Sequence, residues 1–151
     1  MRIITIQIVL LSLLTSCSSL KKETIDISSR FTLEVREVLE QETSNTTKIE
    51  FETPSSTIYI DNKVLLNQND VLKIVKYKNE YHCGIRVILT ENGKKKFLDI
   101  TTKHQNQKLA FFVNNRYMSS PYINSPIRGG NFQVFGFSES EVDELIQSIY
   151  K

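Results

Sequence analysis

Alternation of apolar and polar residues opens the folded part of the chain. In "FTLEVREVL", residues 31–39, Phe31, Leu33 and Val35 share one face, the pattern of a strand buried on one side. "TKIEFET" (47–53) alternates likewise, with Ile49 and Phe51 together, and Pro54 stops it. "TIYI" (57–60) and "KVLL" (63–66) flank Asp61-Asn62, residue types that tolerate positive φ, which predicts a tight hairpin. "VLKIVKY" (71–77) and "CGIRVILT" (83–90) add two strands, the second with Ile85, Val87 and Leu89 on its apolar face. At Thr90 the period changes. A helix capped by Thr90 is predicted through "ENGKKKFLDITTKH", because Phe97, Ile100, Thr101 and His104 fall at i, i+3, i+4 and i+7. Gly93 in its first turn weakens it. "KLAFFV" (108–113) and "RYMS" (116–119) predict a hairpin across Asn114-Asn115, and "NFQVFGF" (131–137) a last strand. Ser138-Glu139-Ser140-Glu141 is a capping box, and Val142, Leu145, Ile146 and Ile149 continue it as an apolar stripe. Two helices on one face of a mostly antiparallel sheet make an α+β domain over residues 31–151.

The start of the chain reads differently. Arg2 precedes "IITIQIVLLSLL", which as a helix spans about 18 Å, too short for a hydrocarbon core of about 30 Å. A basic start, a short apolar run and small residues read as a leader over residues 1–16. "LTSC", Leu14 to Cys17, is similar to the lipobox of bacterial lipoproteins. That likeness implies cleavage before Cys17 and lipid on its thiol and new amino end, so that several acyl chains hold the protein at a membrane. The plainer alternative is secretion with an incidental cysteine. Ser18, not Asp, follows Cys17, which leaves the periplasmic leaflet of the outer membrane open as a destination. "SSLKKETIDISSR" (18–30) is polar and aperiodic, so residues 17–30 read as a lipidated cysteine and its tether.

Charge and chemistry narrow the function. Nineteen Lys and Arg against seventeen Asp and Glu do not suggest nucleic acid. The Lys94–Lys96 run could attract a phosphate but reads more simply as a solvated helix face. With Cys17 lipidated, Cys83 is the remaining thiol, so no internal disulfide can form. His82 and Cys83 are strand neighbours and point to opposite faces, so they make no dyad. A thiol-dependent or other hydrolytic enzyme centred on Cys83 would need His104 brought in by the fold. Asp99 and His104 lie off one helical face and make a poor metal pair. The reading is therefore non-catalytic, with no cofactor, metal or small-molecule ligand; the alternatives are the Cys83 enzyme and a structural lipoprotein with no specific client.

From about residue 57 onward the order of motifs resembles the head subdomain of the first periplasmic domain of SecD, the protein-export membrane subunit. Glu91-x-Gly93 followed by Phe97 and Thr101 matches its helix start, and Lys108 to Ala110 its next strand. Ser120-Pro121, then Ile123, Ile127, Gly129 and Gly130, match its turn, and Val134, Gly136, Phe137, Ser138 and Glu141 its final strand and helix entry. "FTLEVREV" is similar to the strand that precedes the head. Asn114-Asn115 stands where Asp-Gly is usual, Gly136 and Phe137 are adjacent, and Val142 replaces Ala. The resemblance implies ferredoxin-like elements and a capacity to contact exported polypeptides or the protein-export machinery. It carries over no proton coupling, since the intramembrane part of SecD has no counterpart among these motifs.

The stretch 119–137, "SSPYINSPIRGGNFQVFGF", holds two prolines and three glycines. Pro121 and Pro126 fix φ, and Gly129 and Gly130 admit conformations closed to other residues. No Lys-Ser/Thr pair or immediate helix follows, so it is not a phosphate cradle. It reads as a shape-setting loop whose Tyr117, Pro121, Tyr122, Ile123, Pro126 and Ile127 form a candidate protein-contact surface if exposed, and part of the core if folded down.

Overall fold

The structure is a computed structural model and describes residues 30–52 and 55–150. The leader, Cys17, the tether up to residue 29 and Pro54 lie outside the described residues. The strands are β1 (Leu33–Leu39), β2 (Thr46–Glu52), β3 (Ser55–Asn67), β4 (Val71–Lys78), β5 (Cys83–Leu89), β6 (Leu109–Val113), β7 (Arg116–Ser119) and β8 (Asn131–Phe135). Helix α1 (Glu91–Lys103) follows β5, and α2 (Glu139–Tyr150) follows β8. The fold is α+β. Its strands form two antiparallel sheets, one of five strands in the order β2-β3-β1-β6-β7 and one of three in the order β4-β5-β8.

One core joins the layers. The alternating residues Leu33 and Val35 of β1, with Leu109, Phe111 and Val113 of β6, face Ile74, Ile85, Val87 and Val134 of the smaller sheet. Phe97 and Ile100 of α1 and Val142, Leu145 and Ile149 of α2 complete it. Phe132 is the bridge: its ring centroid lies 5.0 Å from Phe97 and 5.3 Å from Phe111, joining β8 to α1 and to the larger sheet. Each such side chain, fully buried, contributes roughly 1.5–3 kcal/mol by leaving water.

The larger sheet also has an inner hollow on its other face. Ring centroids of Phe51, on edge strand β2, and Tyr117, on the opposite edge β7, are 5.7 Å apart, so the sheet curls until its edges meet. Ile60 and Ala110 are fully buried there, apart from the main core. Arg36 lies over the Phe112 ring at 5.4 Å and pairs with Glu34.

Asp61-Asn62 does not turn the chain. Residues Ser55–Asn67 are one strand of 13 residues, with β2 on one side and β1 on the other. Pairing along both edges outweighs the local turn preference, which survives only as a bulge. Val38 pairs with Ile60 but Arg36 with Val64, so β3 holds extra residues between them. There the Asp61 carboxylate accepts the Lys63 N–H at 2.8 Å and the Asn45 amide at 2.9 Å. The Asn114-Asn115 hairpin forms as its residues predict, with φ of 49° and 62°, the two left-handed positions a tight antiparallel turn requires.

Both helix starts follow from their caps. The Thr90 hydroxyl accepts the Gly93 N–H at 3.0 Å, and the Thr90 N–H donates to the Asp70 carbonyl at 2.8 Å. Gly93 is a packing requirement: a Cβ there would lie 2.3 Å from the Asp70 carbonyl oxygen, in the short 3-10 turn Gln68–Asp70. At α2 the Glu141 carboxylate accepts the Ser138 N–H at 2.6 Å, and the Ser138 hydroxyl accepts the Glu141 N–H at 3.3 Å. The Ser138 N–H and then Arg116 hold the Glu141 carboxyl down at about 2. Strand β8 stops at Phe135, short of the predicted residue 137, because Gly136 takes φ of 98°.

Candidate contact surface

The segment between β7 and β8 is a loop stitched along its length. The Leu109 N–H donates to the Pro121 carbonyl at 3.2 Å, the Ile123 N–H to Gln107 at 2.9 Å, and the Asn106 N–H to Ile123 at 2.8 Å. Lys108 and Tyr122 form an isolated antiparallel bridge. Further on, the Ile127 N–H donates at 2.9 Å to the hydroxyl of Thr101, a fully buried residue of α1 that itself donates to the Phe97 carbonyl at 2.8 Å. The loop ends where the Leu89 N–H donates to Gly130, whose φ is 66°. Such a segment is held in shape where it meets the core, because main-chain groups at residues 121, 123, 127 and 130 have fixed partners.

This stitching divides the six predicted contact residues. Ile123 is buried in the core and offers nothing to a partner: its two main-chain bonds to residues 106 and 107 turn the side chain inward. Ile127 is partly buried against the core, and Pro126 is half-buried. Tyr117 is half-buried between Phe51 and Phe112, and its hydroxyl donates to Ser120 at 2.8 Å. Pro121 and Tyr122 are exposed, Tyr122 at 61%. The Lys108 ammonium lies 5.1 Å from the centre of the Tyr122 ring, a cation–π contact.

Tyr122 is among the residues that line a groove of about 530 Å³. Residues 37–40 at the end of β1, 57–59 of β3 and 106–108 line it as well. Glu37 and Glu40 give it an acidic side, Lys108 a basic one. The helix α1 ends beside it. His104 Nδ1 lies 2.8 Å from the Ile100 carbonyl and Nε2 3.4 Å from the Glu37 carboxylate. His104 is thus engaged with α1 and β1, while Cys83 begins β5, paired with Lys78 and packed against the core. No thiol–imidazole hydrogen bond forms among the described residues. Among the described residues no three of His, Cys, Asp and Glu gather in a way that could hold a metal ion. Lys94–Lys96 are exposed, as a solvated helix face requires, and Lys96 pairs with Asp70 at 2.8 Å.

A second surface escaped the sequence reading. On the face of the small sheet away from the helices, Arg86 lies 5.0 Å over the Tyr77 ring. Tyr77 and His82 flank Phe135 at 5.7 and 5.2 Å, and Tyr81 beside them is 82% exposed. The available signal was the second set of alternating positions in strands whose first set already formed a core face.

Comparisons with known proteins agree with this architecture. The model of the family "SecDF, P1 head subdomain" matches residues 36–149. A protein translocase subunit SecD of Acidaminococcus fermentans is 32% identical over 54 residues, covering 36% of this chain and 13% of that protein. One of Streptomyces coelicolor is 39% identical over 62 residues, covering 37% of this chain and 11% of that protein. The chain therefore spans only a small part of the length of these relatives. A crystal structure of SecDF in a super-membrane-facing form superposes with a TM-score of 0.63 at 20% identity, over 80% of this chain and 18% of its own. Another SecDF structure, of a membrane component that enhances protein export, gives 0.61 at 20% identity, over 80% of this chain and 62% of its own. Among the described residues no helix is long and apolar enough to cross a membrane. With the family model spanning the strands, both helices and the stitched loop, the chain belongs to the SecDF P1 head subdomain family.

Proposed function

We propose that this protein is a non-catalytic accessory of protein export, held at a bacterial envelope membrane by lipid on Cys17, whose head domain contacts exported polypeptides through the Tyr122 surface. The observation that carries the reading is a rigid loop presenting one exposed aromatic beside an open groove, in a domain of the SecDF P1 head family. Its relatives are translocase subunits, and the SecDF neighbour is described as enhancing protein export, which supports a polypeptide as the partner. An aromatic standing on a fixed backbone suits weak contact with many sequences, because a Tyr ring gives large contact area with few rotatable bonds. Exposed aromatic residues are also the type enriched in contact surfaces.

The test is a photocrosslinking residue at position 122 in the full, anchored chain, with a defined exported precursor held unfolded as the probe. Crosslinks to the precursor that vanish in competition with excess unlabelled precursor are expected. A fold-intact Tyr122→Asp protein that retains full precursor binding would refute the surface. Labelled palmitate entering the wild-type protein but not Cys17→Ala tests the anchor separately.

A further inference from the structure

The edge of the small sheet carries a lock. Among the described residues strand β4 has β5 on one side and no strand on the other, and an unpaired strand edge is a template for another strand. At Ile74 that edge is filled from within. The Tyr150 hydroxyl, at the end of α2, accepts the Ile74 N–H at 3.0 Å and donates to the Ile74 carbonyl at 2.9 Å. One hydroxyl thus occupies both main-chain groups that Ile74 would offer an incoming strand. The rest of α2 is tied to the same edge: Lys76 bonds Glu139 at 3.0 Å and Asp143 at 2.7 Å, and Lys78 bonds Glu139 at 2.6 Å.

The sequence of the edge fits a copy of itself. An antiparallel pairing of two β4 strands with Val75 on the two-fold axis sets Ile74 opposite Lys76 and Lys73 opposite Tyr77. No lysine then faces a lysine, and like charges directly opposed are what such pairing must avoid. In this register Ile74 and Lys76 lie at the same parity, so the outward groups of Ile74 meet those of Lys76 in the second copy. The charges of Lys76 and Lys78 are already balanced by Glu139 and Asp143 of α2. A two-fold contact of this kind is self-limiting at two chains.

We propose that the Tyr150 hydroxyl locks a self-complementary strand edge: while it bonds Ile74 the β4 edge stays closed, and when it is removed two copies of this chain pair antiparallel through β4.

The test uses residues 18–151 throughout, without the apolar leader or Cys17, so that neither leader nor acyl chain drives association. Wild type and Tyr150→Phe are compared by sedimentation velocity over a rising concentration series, with amide exchange read at Ile74 and Lys76. Wild type is expected to stay monomeric with a protected Ile74 amide. Tyr150→Phe is expected to exchange Ile74 about tenfold faster when dilute, the loss of one hydrogen bond's net stabilisation. At high concentration it dimerises and both amides become protected. Adding Val75→Lys places two charges on the axis and must abolish the dimer. Tyr150→Leu, which also lacks the hydroxyl, must behave as Tyr150→Phe does. A folded Tyr150→Phe and Tyr150→Leu that remain monomeric at every concentration overturn the proposal, as does a dimer that survives Val75→Lys.

Discussion

Thr101 ties the exposed loop to the core through its hydroxyl. Thr101→Val keeps the side-chain shape and deletes the hydroxyl that accepts the Ile127 N–H at 2.9 Å. Because Thr101 is fully buried, no water can replace that hydroxyl without opening the packing. A main-chain donor left without a partner costs about 1–3 kcal/mol. Ile127 is only partly buried, so the lower half of that range applies, about 1–2 kcal/mol. For a domain of this size, at about 4 °C per kcal/mol, the midpoint of thermal unfolding should fall by roughly 4–8 °C. Thr101→Ser, which restores the hydroxyl, should recover most of it. Denaturant unfolding with an unchanged slope would place the loss in the native state, and amide exchange at Ile127 should quicken ahead of global unfolding. A Thr101→Val protein within about 0.3 kcal/mol of wild type, with Ile127 still protected, would show that the loop is held by its packing and not by this bond.

Other substitutions test other links. Gly93→Ala raises helix propensity by about 1 kcal/mol, yet its Cβ would collide with the Asp70 carbonyl. Net destabilisation in a urea titration is expected, and a stabilised variant would show that the turn Gln68–Asp70 can move away. Ser138→Ala should cost about 0.5–2 kcal/mol through loss of the α2 cap, read by the same titration. The acid limb of stability should depend on Glu139, held down at about 2 by Lys78 and then Lys76, and on Glu141, held there by Ser138 and Arg116. Since both folded values lie below the ordinary 4.5, their contribution is complete above that pH and is lost as pH falls toward 2. Glu139→Gln with Glu141→Gln should flatten the stability profile in that window, and an unchanged profile would assign acid unfolding to other groups. Cys83→Ser should leave precursor crosslinking at wild-type yield; its loss in a folded protein would reopen the thiol reading.

Much of this molecule is written locally. The α1 face, both helix caps, the Asn114-Asn115 turn and the Phe31–Val35 alternation depend on neighbours within a few residues, and local pattern predicts them. What was illegible depends on distant partners. Asp61-Asn62 carries turn chemistry, but β1 and β2 pair along both sides of it and keep the strand going. The partition into two sheets follows from long-range pairing, which alternation in single strands does not encode. The same limit applies to the candidate surface. Tyr122 and Ile123 are adjacent in an aperiodic loop, and only the bonds to residues 106–109 decide that one faces water and the other the core. The Tyr150–Ile74 contact joins residues 76 apart in sequence, and nothing in either stretch announces the other.

The stitched loop has a thermodynamic consequence for whatever touches it. Its backbone freedom was surrendered when the domain folded, so an encounter at Tyr122 has little ordering left to do. A client would meet a fixed peg, with attachment and release governed by the client's own flexibility. Brief, repeatable grips of that kind suit a chain in transit better than a tight embrace would.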